Sequence, residues 1–231
     1  MRNILKVAPR ASVSTFQASA LEPEVLKRLK GCDLLATCTD NHASRLALNR
    51  LSAQYLIPLL HLGFCVEGER GKVTEVSDEY AITSPGDWCL LCPGIVGGQA
   101  AARELASPQE RAILRQRGYV PDTPAPAVYH LDGVIASLAA AEVHNLAHPY
   151  REARRYLVYD DLKGELLPLK VQSQEGCPVC SPEGVLGLGD LEPLPNYLGF
   201  HASALPSPGI DGEGGLEEHD VEERALSIPT R

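Results

Sequence analysis

The stretch from Asp33 to Gly63, DLLATCTDNHASRLALNRLSAQYLIPLLHLG, decides the fold class. Asp33-Leu34-Leu35-Ala36-Thr37-Cys38 is an apolar run of strand length, the pattern of a strand buried on both faces. Thr39-Asp40-Asn41 follows as a turn and helix start, where Asp40 or Asn41 can cap free backbone N–H groups. Ser44 to Tyr55 reads as a helix, with Leu46, Leu48, Leu51 and Tyr55 among its apolar positions. Pro58-Leu59-Leu60-His61-Leu62 reads as the next strand, stopped by Gly63. Two strands joined through one helix by short connections pair in parallel, so the class is α/β. The expectation is part of a doubly wound, Rossmann-like sheet with helices on both faces.

Working outward, the N-terminal side reads as a helix end near Lys6, a strand at Val13-Ser14-Thr15-Phe16, and a short amphipathic helix from Glu24 to Lys30 ended by Gly31. On the other side, Lys72 to Val76 alternates as a half-exposed strand does. Helices are expected at Gln99–Ala106, Pro108–Gln116 and Val128–Leu146, and a closing pair of strands at Arg155–Tyr159 and Leu166–Lys170. Beyond Pro193 the chain turns Pro- and Gly-rich, then acidic. The expected organisation is therefore one domain over 1–195 and a disordered acidic tail over 196–231.

The formal net charge of −9 argues against nucleic acid as a partner, because phosphate binding needs clustered Lys and Arg. No apolar run approaches a membrane span, and Met1 to Lys6 lacks the apolar stretch of a signal peptide. Seven cysteines, four of them in two Cys-x-x-Cys pairs, suit metal-bound thiolates in a reducing compartment better than a disulfide scaffold. A cytoplasmic location is expected.

Those pairs, Cys89-Leu90-Leu91-Cys92 and Cys177-Pro178-Val179-Cys180, carry the strongest chemical signal. Two intervening residues let both thiolates of a turn reach one metal, and two such knuckles complete a tetrahedral Cys₄ site. With sulfur at all four positions the zinc is structural, since no position is left open for chemistry. The alternatives are two separate pairs, or a redox Cys-x-x-Cys, which would normally open a helix and is poorly served by Pro93-Gly94.

Cys38-Thr39-Asp40-Asn41 after a buried strand, Arg45 one turn into the next helix and Asn49 one turn further resemble the "TDN…R…N" segment of the ThiF/MoeB/HesA superfamily, which includes the ubiquitin-activating enzymes. The two distant cysteine pairs are similar to its zinc site, and Gly118-Tyr119-Val120 with Pro121 to Pro126 resembles the stretch after the first pair in bacterial members. The resemblance implies ATP-dependent adenylation of a C-terminal Gly on a ubiquitin-like or sulfur-carrier protein, with Mg²⁺ and a structural Zn²⁺. It implies that Asp40, at the end of a parallel strand, holds the magnesium with Asn41 beside it at the nucleotide. It also implies homodimers. Read from the residues alone, Asp40 is equally a helix cap, and Arg45 and Asn49 are equally a solvated or salt-bridged helix face. His42, His61, His130 and His144 read as ordinary core or surface residues. The i,i+4 pair His144 and His148 lacks the Glu of a zincin motif.

Two departures from the family pattern stand out. Its Gly-rich phosphate loop is not matched before the first strand, and Gly94–Gly98 and Gly184–Gly189 do not sit between a buried strand and a helix. Pro93 to Pro126 holds no cysteine, so no thioester is expected on that segment. Cys32 and Cys38 read as packing residues, and Cys65 has no evident activating partner. Three readings follow: an activating enzyme seen in part, one half of a split enzyme completed by an N-terminal half on another chain, or a non-catalytic zinc-stapled interaction module. A nicotinamide-linked dehydrogenase is more distant, lacking the same loop.

Overall fold

The computed structural model describes residues 2–69, 71–107, 109–110, 112–113, 129–195 and 197. Helix α1 (Arg2–Val7) and helix α2 (Pro23–Leu29) precede strand β1 (Leu35–Thr37), helix α3 (His42–Tyr55) and strand β2 (Leu59–Glu69). Strand β3 (Lys72–Thr83), helix α4 (Gly98–Leu105), helix α5 (Tyr129–Ala147), and strands β4 (Tyr156–Asp160) and β5 (Glu165–Pro168) follow. A short 3₁₀ turn at Gly189–Leu191 comes last.

The strands form one sheet in the order β1-β2-β3-β4-β5. β1 and β2 are parallel, with Leu35 opposite Leu59 and Thr37 opposite His61. The other three pairings are antiparallel. The described sheet is therefore mixed, with one parallel crossover feeding an antiparallel meander, and is not doubly wound. The expectation fails at Gly63, which does not stop β2: the strand runs on through the hairpin with β3, Gly63 standing opposite Glu79. A long antiparallel hairpin needs only a tight turn, so the chain reverses after Glu69 and the strand expected at Lys72–Val76 pairs back on β2.

Helices do cover both faces. Leu35, Leu59, Ala81 and Tyr156 share one core with Leu46, Leu51 and the cysteine knuckles, on the α3 side. Leu60, Tyr80, Ile82 and Leu157 point the opposite way and pack with Ile135 and Ala139 of α5. The alternation along β2, β3 and β4 is the strand period of two. β1 is different: Leu35 and Thr37 are buried but Ala36 is exposed, so this edge strand is not buried on both faces.

Asn41 caps α3 as expected, its Oδ1 accepting from the Ser44 N–H at 2.8 Å. At the other end Leu56 takes the left-handed conformation, φ 56°, that glycine usually supplies at this position. Val13–Phe16 forms no strand, and neither Cys32 nor Cys38 is a packing residue, since both are exposed. Most of the Pro108–Gln116 segment, and the Gly118–Pro126 stretch, lie outside the described residues. So does the proposed tail, except that Tyr197, two residues past the expected boundary, is buried in the core. Among the described residues no helix is long and apolar enough to cross a membrane.

Asp78 is the anomaly of the second face. It is 1% exposed, and neither carboxylate oxygen has a hydrogen-bond partner. Burial pushes its pKa up to about 6, Asp132 and Asp161 adding to the shift and His130 opposing it. A carboxyl raised in the folded state makes folding costlier as pH rises from the ordinary value of 3.8 through about 6, and the cost is then constant. Asp78→Asn should therefore raise the melting temperature at pH 7 by about 3 °C or more and leave it unchanged near pH 3.5. Thermal unfolding at the two pH values checks this, and an equal shift at both would exclude ionisation as the cause.

Candidate functional site

The four paired cysteines come together. Their sulfurs all lie within 4.8 Å of one another, and all four residues are buried. Cys89 Sγ is 3.7 Å from Cys177 Sγ and 4.0 Å from Cys92 Sγ, and Cys92 Sγ is 3.5 Å from Cys180 Sγ. These separations are far beyond a disulfide bond. A zinc ion with sulfurs at about 2.3 Å has tetrahedral edges of about 3.8 Å, so the cage fits that ion.

Each knuckle is shaped by its own backbone. In the first, Cys92 N–H donates to Cys89 O, Gly94 N–H to Leu91 O, and Val96 N–H to Leu90 O. Gly94 stands at φ 81°, where a side chain is strained. In the second, Ser181 N–H donates to Cys177 O and Val185 N–H to Val179 O. Gly184 packs so closely that a Cβ there would lie 2.8 Å from the Pro178 carbonyl carbon and 2.9 Å from Cys177 O. The knuckles also grip each other: Gln174 donates its backbone N–H to Cys92 Sγ at 3.4 Å and its side-chain amide to Cys92 O at 2.9 Å.

The second cluster gathers at the C-terminal end of the parallel pair β1/β2, where open α/β sheets place their ligands. Asp40 is exposed in the loop leaving β1, and the Asn41 side-chain amide donates to its Oδ1 at 3.2 Å. The loop is held from several sides. Arg45 Nε donates to Thr39 O at 2.9 Å. Glu104 of α4 accepts the Ala43 N–H at 2.7 Å, and His42 Nδ1 accepts the Gly97 N–H at 3.3 Å. Arg45 is partly buried: desolvation works against its charge, and Glu79, Glu104 and Asp40 support it. Arg45 is thus a clamp on the loop, in place of the solvated face the residues alone allowed.

Two further groups escaped the sequence reading. His61 is 0% exposed, and its Nε2 lies 3.3 Å from Glu79 Oε1. Tyr156 donates to the other Glu79 oxygen. Burial tends to raise the Glu79 carboxyl, but His61 and Tyr156 more than offset it and hold it below its usual range. Gly63 permits this, because a Cβ there would sit 2.8 Å from His61 Nε2. Only the pair of His61 and Gly63 in an otherwise apolar strand hinted at it. Asn49 is also buried; its Oδ1 accepts the Leu90 N–H at 2.9 Å, fixing the first knuckle to α3.

The family model of the ThiF family matches residues 1–179. The chain belongs to the ThiF family. Among solved structures, E. coli MccB with ATP is similar at 17% identity and a TM-score of 0.53, over 78% of this chain and 48% of that one. E. coli MccB by itself gives 18% and 0.56 over 78% and 48%. The microcin C7 biosynthetic enzyme MccB in complex with N-formylated MccA gives 19% and 0.53 over 78% and 50%. At such identities the likeness is one of fold, and the chain spans about half the length of the MccB chains it matches. No curated protein matches the sequence.

Within this ThiF-family fold the cysteine cage and the Asp40 loop are separate. Asn41 and Asn49 are eight positions apart along α3, roughly 12 Å along the helix axis. Among the described residues no other His, Cys, Asp or Glu group clusters closely enough to hold a metal; His144 and His148 stack as rings 5.4 Å apart. Neither glycine-rich stretch lies between a strand and a helix. Gly94–Gly98 joins a knuckle to α4, and Gly184–Gly189 leads into the 3₁₀ turn. Cys65 is pushed up to about 11 by burial and then by Glu75, Glu67 and Glu79, the reverse of what a nucleophile needs.

Gly184→Ala tests the cage. Its clash is with backbone, which cannot swing aside, so a loss of about 2 kcal/mol is expected. Urea denaturation should show it, with faster reaction of the four buried thiols towards a chromogenic disulfide. Unchanged thiol reactivity would mean that the second knuckle tolerates the extra carbon.

Proposed function

We propose that this protein takes part in the ATP-dependent adenylation of a C-terminal carboxyl, with Asp40 as the magnesium-holding residue, Asn41 beside it at the nucleotide, and a structural zinc on Cys89, Cys92, Cys177 and Cys180. The observation that carries this reading is the Asp40 loop: an exposed carboxylate at the C-terminal end of a parallel strand pair in a ThiF-family fold, braced by Asn41, Arg45 and Glu104. A hard carboxylate oxygen, hydrogen-bonded only through one amide, suits Mg²⁺, whose charge neutralises a triphosphate when the α-phosphorus is attacked. Arg45 and Glu104 orient the loop so that Asp40 faces solvent. The cage has no open position, which leaves its zinc a structural role.

The substrate in this reading is a ubiquitin-like or sulfur-carrier protein, or a peptide, activated at its C-terminus. MccB is known in structures with ATP and in complex with N-formylated MccA. The functional domain is taken as 1–195, in a homodimer of the family kind and in the cytoplasm. The phosphate-cradling loop has no counterpart among the described residues and is supplied from outside them. Strand β1 stands at the edge of the described sheet, paired only with β2, with Ala36 and Cys38 exposed beside it, which suits a further strand from the same polypeptide or from another.

The test is ATP–pyrophosphate exchange by the native enzyme, assembled with whatever chain co-purifies with it and supplied with its carboxyl substrate. Asp40→Ala should lower exchange by about 100-fold or more while leaving zinc content and melting temperature unchanged. Wild-type exchange that survives the substitution removes Asp40 from the chemistry. A zinc-loaded assembly without any exchange favours the non-catalytic interaction module instead.

A further inference from the structure

Gln174 holds both knuckles at once, through three separate groups. Its backbone N–H donates to Cys92 Sγ at 3.4 Å, and its side-chain Nε2 donates to Cys92 O at 2.9 Å. Its own carbonyl accepts the Cys177 N–H at 3.2 Å, across a turn in which Gly176 takes φ 67°. One residue therefore ties the sulfur and the carbonyl of the first knuckle to the first cysteine of the second, although 82 positions separate it from Cys92. None of these three bonds requires a metal. Gln174 is exposed and is not part of the core.

We propose that Gln174 is a positioning residue of the zinc cage. Its amide on the Cys92 carbonyl and its carbonyl on the Cys177 N–H aim its backbone N–H at the Cys92 sulfur, so the two knuckles stand assembled before a metal arrives. The inference rests on the reading of the four cysteines as a zinc site. Four thiolates around one divalent cation leave net negative charge in a buried place, and an N–H donated to sulfur spreads that charge. A ligand already held in its bound position also has less freedom left to lose on binding. The Gln174 side chain thus acts on metal affinity through the backbone, without touching the metal.

The full native protein is used, first unaltered and then as Gln174→Met, a neutral side chain of similar length that keeps the backbone N–H and loses the amide donor. In the wild type loaded with ¹¹³Cd²⁺, the backbone amide proton of Gln174 should show scalar coupling to cadmium through the Cys92 sulfur. In Gln174→Met the zinc dissociation constant, from chelator competition, should rise about 10-fold or more. In the metal-free proteins, the Gln174 and Cys177 amides should exchange with deuterium more slowly in the wild type than in the variant. Any one of three results overturns the inference and leaves the zinc site standing: no coupling at Gln174 in the wild type, equal zinc affinity in the two proteins, or equal amide exchange in their metal-free forms. Failure of the wild type to bind zinc or cadmium with all four thiols overturns the zinc reading, and this inference with it. Should Gln174→Met fail to fold, the coupling measured on the wild type decides alone.

Discussion

Four sulfurs held within 4.8 Å of one another inside a hydrophobic core set the constraint on which the rest of this structure depends. As neutral thiols they form no strong bonds, and as thiolates they repel. A cation among them turns the arrangement into a crosslink between segments that are 88 residues apart in sequence. Those segments cover the α3 face of the sheet. Trp88 leans on Tyr156 of β4, with ring centres 6.2 Å apart, and Val179 and Val185 join the same core. The sheet face is apolar enough to need this cover, and the segments over it are turns. Turns gain little from backbone pairing, so a metal held by the four sulfurs would supply much of what fixes them.

The Asp40 loop inherits its geometry from that core at second hand. Helix α3 is anchored at its middle by Asn49 to the first knuckle, and at its start by Glu104 and His42 to α4, which follows the same knuckle after a few residues. Arg45 closes the loop from within. A displacement of the first knuckle would therefore reach the loop by two routes, through the helix and through α4. A cluster buried in the core can thus govern where the exposed Asp40 carboxylate stands, because packed elements of this kind move as rigid bodies.

What the sequence made legible is what local pattern determines. Helix α3, the parallel pair around it, α4, α5 and the β4/β5 hairpin follow from periodicity and turn residues. The cage follows from Cys-x-x-Cys spacing, which needs only two residues to place two ligands. The misreadings within the sheet and around the site are non-local. Gly63 looked like a strand end because a glycine usually is one, yet it is the space that His61 needs beside Glu79. Asp33 to Cys38 looked buried on both faces, although what lies against a strand is not written in the strand. His61, Glu79 and Tyr156 are brought together by sheet register, and Asn49 meets Leu90 across 41 positions. No spacing rule reaches such pairs.

The His61–Glu79–Tyr156 line differs from the cage in what holds it together. Its carboxylate stays ionised although half-buried, because one ring and one hydroxyl face it and Arg45 stands near. Asp78, the residue before Glu79, points to the opposite face and has none of these partners. Two adjacent carboxylates on one strand thus have opposite fates, decided only by the strand period and by what each face provides. The face with Arg45 and His61 holds a negative charge at low cost. Arg45 joins this face to the loop where Asp40 is exposed: its Nε donates to Thr39 O, and Glu79, Glu104 and Asp40 support its charge.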